Sequence, residues 1–160
     1  MEKKRQAKTP VKKAAGKKRA PIVLPEMRCF VASDSAGRLS FPGNGEKTFL
    51  LGMFDAVSAP RVPAMLGPFF LFVQLYGGSG ECTATITGQQ DDGTPVVETE
   101  SPLLSLMLGH KRELFTQIQL LPFTKFGAIS FVLRIEGTQV GWPLVLNLTE
   151  SPMDPTESPQ

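Results

Sequence analysis

The stretch that decides the fold is Glu81-Cys-Thr-Ala-Thr-Ile-Thr87, in which apolar and polar side chains alternate. Cys82, Ala84 and Ile86 fall on one side of the pattern and three threonines on the other. A half-buried antiparallel strand requires this period of two, because successive side chains leave opposite faces of a sheet. Residues 130–136 alternate in the same way, apart from Val132, and residues 116–120 do so more weakly.

Two neighbouring stretches are apolar on both sides. Thr48–Phe54 and Phe69–Tyr76 therefore predict central strands, or strands that a loop covers on the second face. Residues 27–33 and 144–148 predict further strands, and residues 95–99 a short edge strand. Ser101–Glu113 is too rich in leucine for an exposed loop. It is interpreted as a loop, with a single helical turn or an irregular crossover between sheets as the alternatives.

Turn-forming residues separate these segments. The chain has 160 residues, with 15 glycines and 14 prolines, and this length suits one domain. Glycine-containing turns are predicted at residues 37, 42–45, 77–80, 92–93 and 137. We therefore predict an all-β fold, an immunoglobulin-like antiparallel β-sandwich of seven or eight strands over residues 26–148.

The formal net charge of +2 conceals a division of charge along the chain. Residues 1–20 carry +8 and residues 21–160 carry −6. The basic residues of the first segment are Lys3, Lys4, Arg5, Lys8, Lys12, Lys13, Lys17, Lys18 and Arg19. They predict an arm that binds nucleic acid through its phosphates, without sequence preference because no aromatic residue lies among them. A nuclear localisation signal, attachment to an anionic membrane surface and a passive extension are the alternatives.

Both ends of the chain are predicted to be disordered, because they are poor in apolar residues. Residues 1–25 are assigned to the basic arm and its linker, and residues 149–160 to an acidic tail. Thr-Glu-Ser-Pro occurs at 99–102, 149–152 and 156–159. We interpret these repeats as turn and tail composition, with Ser-Pro phosphorylation as the alternative.

The sequence predicts a cytoplasmic protein. No apolar stretch of the length that a secretory signal or a membrane span needs is present. Cys29 and Cys82, the two cysteines, are expected to be free buried thiols, with an inter-sheet disulfide as the alternative. With a single histidine in addition, they cannot form a four-ligand zinc site, and no cofactor is expected.

No catalytic constellation stands out, so the chain is predicted not to be an enzyme. His110, the only histidine, is interpreted as a surface residue between a loop and a strand rather than a general base paired with Glu113. Residues 42–48 lack the Gly-Lys-Ser/Thr order of a phosphate-binding loop and predict a hairpin turn instead.

Several carboxylates are candidates for calcium ligands or for structural groups. Asp34, Asp91, Asp92 and Glu98 could supply oxygen ligands to calcium at loop tips, but calcium is not expected, and Asp91-Asp92-Gly93 is interpreted as a turn whose side chains cap backbone amides. Asp55 follows an apolar run and is expected to cap a turn or to pair with a cation such as Arg61.

Gly37-Arg-Leu-Ser40 and Leu50-Leu-Gly-Met-Phe-Asp55 resemble motifs of a family of small uncharacterised bacterial proteins with a predicted β-sandwich domain. The family pattern has a Gly-Lys-Leu-Ser-like turn and a Gly-x-Phe-Asp strand end. This chain departs from it by an apparent insertion at residues 41–47. The resemblance implies a β-sandwich over about residues 27–148, and it carries no activity.

Two functional hypotheses follow. The first is a non-enzymatic binding or scaffolding module, with another protein as a further partner, whose arm gives nonspecific nucleic-acid affinity. The second is a sandwich that binds a small molecule or carbohydrate through its end loops, with a passive arm. Tyr76 and Trp142 are the aromatic platforms that the second hypothesis would use.

Overall fold

A computed structural model describes residues 21–43 and 45–151 of the chain. Within these residues the backbone forms fourteen strands and no helix. The strands are β1 (Glu26–Phe41), β2 (Gly45–Phe54), β3 (Ala56–Ala59), β4 (Ala64–Leu66), β5 (Phe69–Tyr76), β6 (Gly80–Cys82), β7 (Ala84–Gln90), β8 (Pro95–Glu100), β9 (Leu104–Leu106), β10 (Lys111–Ile118), β11 (Leu121–Phe123), β12 (Gly127–Ile135), β13 (Thr138–Gln139) and β14 (Leu144–Glu150).

Two large sheets form the sandwich. One has the strand order β10-β5-β1-β2, and the other has the order β3-β14-β12-β7-β8 with β13 added to β12. The pairs β4–β11 and β6–β9 form two small sheets, and the one parallel pair described is β3–β14. The predicted all-β antiparallel sandwich is confirmed. The strand number was underestimated, because strands of three residues are too short to show a period in the sequence.

The core lies between the two large sheets. It is formed by alternate side chains of β5 (Leu71, Val73, Leu75) and of β12 (Ile129, Phe131, Leu133, Ile135), all fully buried. Burial of each such side chain contributes about 1.5–3 kcal/mol relative to leaving it exposed. The alternation predicted at Cys82–Ile86 is confirmed, because all three apolar residues of that stretch join this core.

Strand β2 differs from the prediction. It is an edge strand and not a central one, and Leu51 and Met53 are 60% and 65% exposed. The reason lies in β1, which has 16 residues. The first part of β1, up to Ser33, pairs with β5, whereas the rest pairs only with β2 in a long hairpin. Strand β5, by contrast, is central as predicted.

The segment Ser101–Glu113 contains a strand and no helix, so the interpretation as a loop is wrong in part. Leu104–Leu106 pairs with β6, and residues 107–110 then turn into β10. Leu106 is buried in the core, while Ser105 between the two leucines is exposed. Exposed leucines on either side of this short strand hide its period of two.

Strand β14 extends past the predicted end of the domain at residue 148. Thr149 and Glu150, assigned to the tail, pair with Ser58 and Ala59 of β3. The first two Thr-Glu-Ser-Pro repeats thus each end a strand of the same sheet. The serine N–H continues the pairing in both copies: Ser101 donates to the Ala84 carbonyl at 2.8 Å, and Ser151 donates to the Ala59 carbonyl at 3.0 Å. In the first copy Pro102 stops the ladder because it lacks an N–H. The rest of the predicted tail and residues 1–20 lie outside the described residues.

The Gly-x-Phe-Asp motif has a structural cause. Gly52 has a φ of +62°, in the left-handed region, and a Cβ at this position would overlap the Asp34 carboxylate. Phe54 packs edge-to-face on Phe69 at 5.7 Å between ring centroids. The glycine therefore lets the hairpin approach β1 while the phenylalanine attaches it to the core.

We expect Gly52→Ala to lower the free energy of unfolding by more than the about 1 kcal/mol that a left-handed alanine costs alone. Gly109→Ala is the matched control, because Gly109 has a φ of +74° and open space around it. In the double variant that combines Gly52→Ala with Asp34→Ala, part of the lost free energy of unfolding should be restored. Chemical denaturation measures the free energy of unfolding of the three single variants and the double variant. Equal losses for Gly52→Ala and Gly109→Ala, without relief, would contradict the steric explanation.

Candidate functional site

The nine basic residues of the arm lie outside the described residues, but the point where the arm meets the domain is described. Val23 pairs with Ser79 through two backbone hydrogen bonds of 3.0 Å. A Cβ at Gly78 would come within 2.9 Å of the Val23 carbonyl oxygen, so the loop of residues 77–80 is shaped for this contact. The segment predicted to be a linker is therefore held against the domain, shortly after the end of the arm.

A polar cleft lies where the β1–β2 hairpin meets β10. It has a volume of about 280 Å³ and is lined by Arg38, Glu46, Thr48, Lys111, Arg112 and Glu113. We call it the hairpin cleft. Arg38 and Thr48 are direct partners across the hairpin, and Lys111 and Glu113 lie two residues apart on β10. The cleft thus joins the two edge strands of one sheet, β2 and β10.

Glu113 is the centre of the hairpin cleft, and its side chain is only 6% exposed. Its carboxylate accepts hydrogen bonds from Thr48 Oγ1 at 2.5 Å and from Gln74 Nε2 at 3.4 Å. Lys111 Nζ lies 2.7 Å from one carboxylate oxygen, and Arg38 Nε lies 3.6 Å from the other. Four elements of the sheet therefore converge on one carboxylate.

These partners determine the charge of Glu113. Burial alone would raise the pKa of its carboxyl, but the hydrogen bonds from Lys111, Thr48 and Gln74 outweigh burial and hold the pKa below its ordinary value. The group is therefore ionised at neutral pH and acts as an acceptor. An ionised carboxylate with these partners is suited to clamping the hairpin onto the sheet, not to donating a proton.

The cations of the hairpin cleft are already engaged. Arg38 lies 3.7 Å from Glu46 and stacks over the Phe115 ring at 5.6 Å, and Arg112 Nε donates to the Ser105 carbonyl at 2.8 Å. Arg38 and Lys111 nevertheless keep about half of their side-chain surface exposed. The cleft presents charged groups to solvent, while the buried Glu113 carboxylate holds strands of the sheet together.

His110 is exposed and lies in the turn of residues 107–110, directly before β10. Its backbone N–H donates to the Met107 carbonyl at 3.1 Å, and its carbonyl accepts from the Gly77 N–H at 2.9 Å. Glu113, the acid considered as its partner, is instead bound by Thr48, Lys111 and Gln74. The structure thus places the histidine where a surface residue at a loop-to-strand junction was predicted.

The expectation for Asp55 is wrong. The residue is exposed, and among the described residues its carboxylate forms neither a turn-capping hydrogen bond nor an ion pair with Arg61. Its backbone carbonyl, and not its carboxylate, makes the contacts described: it accepts hydrogen bonds from the Asn147 N–H at 2.8 Å and from Asn147 Nδ2 at 3.4 Å. The sharp end of the apolar run marks a strand junction and not a buried carboxylate.

Of the other four candidate carboxylates, Asp91 and Asp92 lie in a turn as predicted, whereas Asp34 lies within β1 and Glu98 within β8. Asp92 Oδ1 accepts from the Thr94 N–H at 2.9 Å, and Asp91 Oδ2 accepts from the Ala128 N–H at 3.1 Å. Hydrogen bonds from Lys125 and Thr94 hold the pKa of Asp92 well below its usual range. In residues 21–43 and 45–151 no three acidic, histidine or cysteine side chains cluster as a metal site would need. Phe41 of β1 pairs with Gly45 of β2, so residues 42–48 lie at the closed end of a hairpin, as predicted, with residue 44 outside the described residues.

Both cysteines are free, as predicted, but only Cys82 is fully buried. A register shift between Met27 and Cys29 turns Cys29 to the outer side of the sheet. Burial raises the pKa of both thiols, and the charge of Glu136 adds to this effect at Cys82.

The two aromatic platforms are exposed, which the small-molecule hypothesis needs. Tyr76 is covered by the Arg28 guanidinium at 5.3 Å from the ring centre, and Trp142 follows the turn after β13. Neither residue lines the hairpin cleft. The structure therefore does not bring these residues into the polar site that it forms.

Comparison with known proteins agrees with the resemblance seen in the sequence. Residues 28–145 match the model of the family of unknown function DUF6941. The chain belongs to this family. The DUF6941 match runs from β1 to the first residues of β14 and excludes the arm. No curated protein sequence matches the chain.

One similar solved structure is described as the crystal structure of the C-terminal domain of Wzt. It aligns over 80% of this chain and 75% of that chain, at 12% identity and a TM-score of 0.42. Among the described residues of this DUF6941 protein, no helix is long and apolar enough to cross a membrane.

The hairpin cleft was missed in the sequence. Thr48 and Glu113 are 65 residues apart, and neither stands in a recognisable motif. The one local signal was a glutamate two residues after a lysine at the start of a strand, which places the two side chains on the same face.

We expect Glu113→Gln to lower the free energy of unfolding by about 2 kcal/mol at pH 7, because charge-assisted hydrogen bonds become neutral ones. The pKa of Glu113 is depressed in the folded protein, so its stabilisation is present above the unfolded pKa and is lost as pH falls below about 4.3. The difference between the variant and the wild type should therefore shrink on acidification.

Denaturant unfolding at pH 7 and at pH 3 measures this effect. Glu26→Gln is the matched control, because Glu26 pairs with Arg28 at 2.9 Å on an exposed surface and should cost less than about 0.5 kcal/mol. A loss at pH 7 no larger than that of the control would refute the clamp.

Proposed function

We propose that the protein is a non-enzymatic binding or scaffolding module of the cytoplasm, in which the DUF6941 sandwich carries an arm that binds nucleic acid through its phosphates. The observation that carries this proposal is the division of charge. Residues 1–20 carry +8, whereas residues 21–160 carry −6 and should repel a polyanion. The affinity for phosphates is therefore assigned to Lys3, Lys4, Arg5, Lys8, Lys12, Lys13, Lys17, Lys18 and Arg19.

The attachment of the arm supports the assignment of phosphate binding to the arm and not to the sandwich. The Val23–Ser79 pairing holds the chain to the sandwich shortly after Arg19, the last of the nine basic residues. Among the described residues the sandwich has a closed apolar core, and Ile22 of the linker packs against it. A substrate-sized, water-excluding catalytic pocket is not needed for such a function, and the binding energy would come from counterion release.

The arrangement of titratable groups supports a non-enzymatic role. Glu113, the acid that His110 would most readily use as a partner, is instead bound by Thr48 and Lys111, and His110 lies exposed in a turn.

A second candidate function is the binding of a small ligand in the hairpin cleft, with the arm passive. Three cations and two carboxylates surround about 280 Å³ there, which suits a small ligand bearing an anionic group and hydroxyls. Arg38→Gln should abolish a saturable thermal shift by such a ligand, whereas the same variant should leave DNA binding unchanged. Loss of DNA binding in Arg38→Gln would favour the cleft over the arm.

Deletion of residues 1–20 should abolish retention of a random-sequence DNA duplex and of single-stranded RNA at 50 mM salt, because it removes the positive charge. In 1 M salt its melting temperature should lie within about 2 °C of that of the full chain, because the deletion removes none of the core residues that the structure describes. A mobility-shift assay and thermal unfolding measure the two quantities.

Two further variants control for the composition of the arm. A chain with all nine basic arm residues changed to Gln should behave like the deletion. Arg61→Gln, which removes one exposed cation of the sandwich, should bind like the wild type. Equal retention by the truncated chain would refute the proposal, and equal binding to anionic vesicles but not to DNA would redirect it to a membrane surface.

A further inference from the structure

A groove runs along the side of the sandwich where the edges of the two large sheets lie side by side. One wall is formed by five consecutive residues of β10, Glu113–Gln117, and the other by Glu100, Ser101, Pro102 and Leu104. Its volume is about 450 Å³. We call it the edge groove. It is distinct from the hairpin cleft, although Glu113 borders both.

The backbone of β10 is open on the side that faces the edge groove. Residues 111–118 pair with β5 along one side, and β10 is the last strand of its sheet. An edge strand presents a row of unpaired N–H and C=O groups, which is a template for another extended segment. Five residues span about 17 Å, so the groove accommodates an extended segment of about that length.

The opposite wall favours a basic occupant. Glu100 lies at the groove, and Glu98 lies two residues before it on the same face of β8, with both residues exposed. They pair across to the uncharged Thr85 and Thr87 of β7. Arg134, on the next strand, donates to Thr87 Oγ1 at 2.7 Å and forms no salt bridge with either glutamate among the described residues. An extended segment rich in lysine would add backbone hydrogen bonds along β10 and ion pairs along β8.

The linker that follows the arm lies near one end of the edge groove. Ile22 and Pro21 lie beside Gly80, and the strand that begins there pairs with β9. On β9, the Ser105 carbonyl accepts from Arg112, the residue just before the groove wall. Twenty residues reach up to about 66 Å when extended, several times the length of the groove. The arm is thus the basic segment with the shortest path to this site.

We propose that the edge groove is a binding site for the chain's own N-terminal arm, which adds a strand to the open side of β10 and places its lysines against Glu98 and Glu100. The same lysines are those assigned to phosphate binding, so a polyanion and the groove compete for them. The docking is independent of the proposed function, whereas the competition rests on it. The groove then suppresses weak polyanion binding until a ligand with enough phosphates displaces the arm.

Amide hydrogen exchange of the full chain, read by mass spectrometry on peptides that cover residues 112–118, tests the docking. At 20 mM salt we expect these amides to exchange at least ten-fold more slowly in the full chain than in the chain lacking residues 1–20. Peptides covering β3, the edge strand at the far side of the other sheet, should be unchanged. Addition of 1 M salt should remove the difference, because it screens the ion pairs.

A charge-reversal variant keeps the test decisive if the deletion alters the fold. Glu98→Lys combined with Glu100→Lys in the full chain should remove the protection of residues 112–118, whereas Glu150→Lys, an exposed glutamate at the end of β14, should not. Equal exchange with and without the arm would overturn the proposal. Protection that grows with protein concentration would overturn it in favour of a second copy.

The competition is read from the same peptides after addition of a DNA duplex. Loss of protection at residues 112–118 together with DNA binding supports competition for the arm. DNA binding with protection retained would overturn the competition while leaving the proposed function intact. Protection without any DNA binding would refute the proposed function and keep the docking.

Discussion

The second face of β5 is the constraint on which the rest of the structure depends. One face of this central strand fills the core, as any strand of a sandwich does. The other face carries Phe72, which is only 3% exposed although it points away from the core. Phe115 of β10 packs beside it at 5.2 Å between ring centroids, and Leu50 and Met53 of β2 lie around the same depression. An apolar face of this kind must be covered, since leaving it in water costs about 25 cal/mol per Å².

The long β1–β2 hairpin supplies that cover, and Glu113 holds it in place. Hydrophobic contact alone is non-directional, whereas a carboxylate shared by Thr48, Lys111 and Gln74 fixes where the hairpin lies. The same arrangement leaves β10 and β8 as open edges on one side of the sandwich. The hairpin cleft and the edge groove are thus two consequences of covering one strand.

The sequence predicts those parts of the structure that depend on local periodicity. Alternation at residues 82–86 and 130–136 indicated half-buried strands, and the glycine turns separated them. It misassigned Thr48–Phe54, because an apolar strand that covers an outer face has the same composition as a central strand. It could not reveal the Thr48–Glu113 contact, which depends on how a hairpin curls across the sheet. The strand at 104–106 was hidden by exposed leucines beside it.

The resulting account separates a scaffold from a binding segment. The sandwich is stabilised by its core and its clamp, and the charge of the arm supplies the proposed affinity for phosphates. Transfer of residues 1–20 to the N-terminus of an unrelated neutral protein tests this separation most directly. The fusion should bind a random-sequence DNA duplex and should lose at least about 10³-fold in affinity between 50 and 200 mM salt. A fusion that does not bind DNA, while the full chain does, would contradict the account.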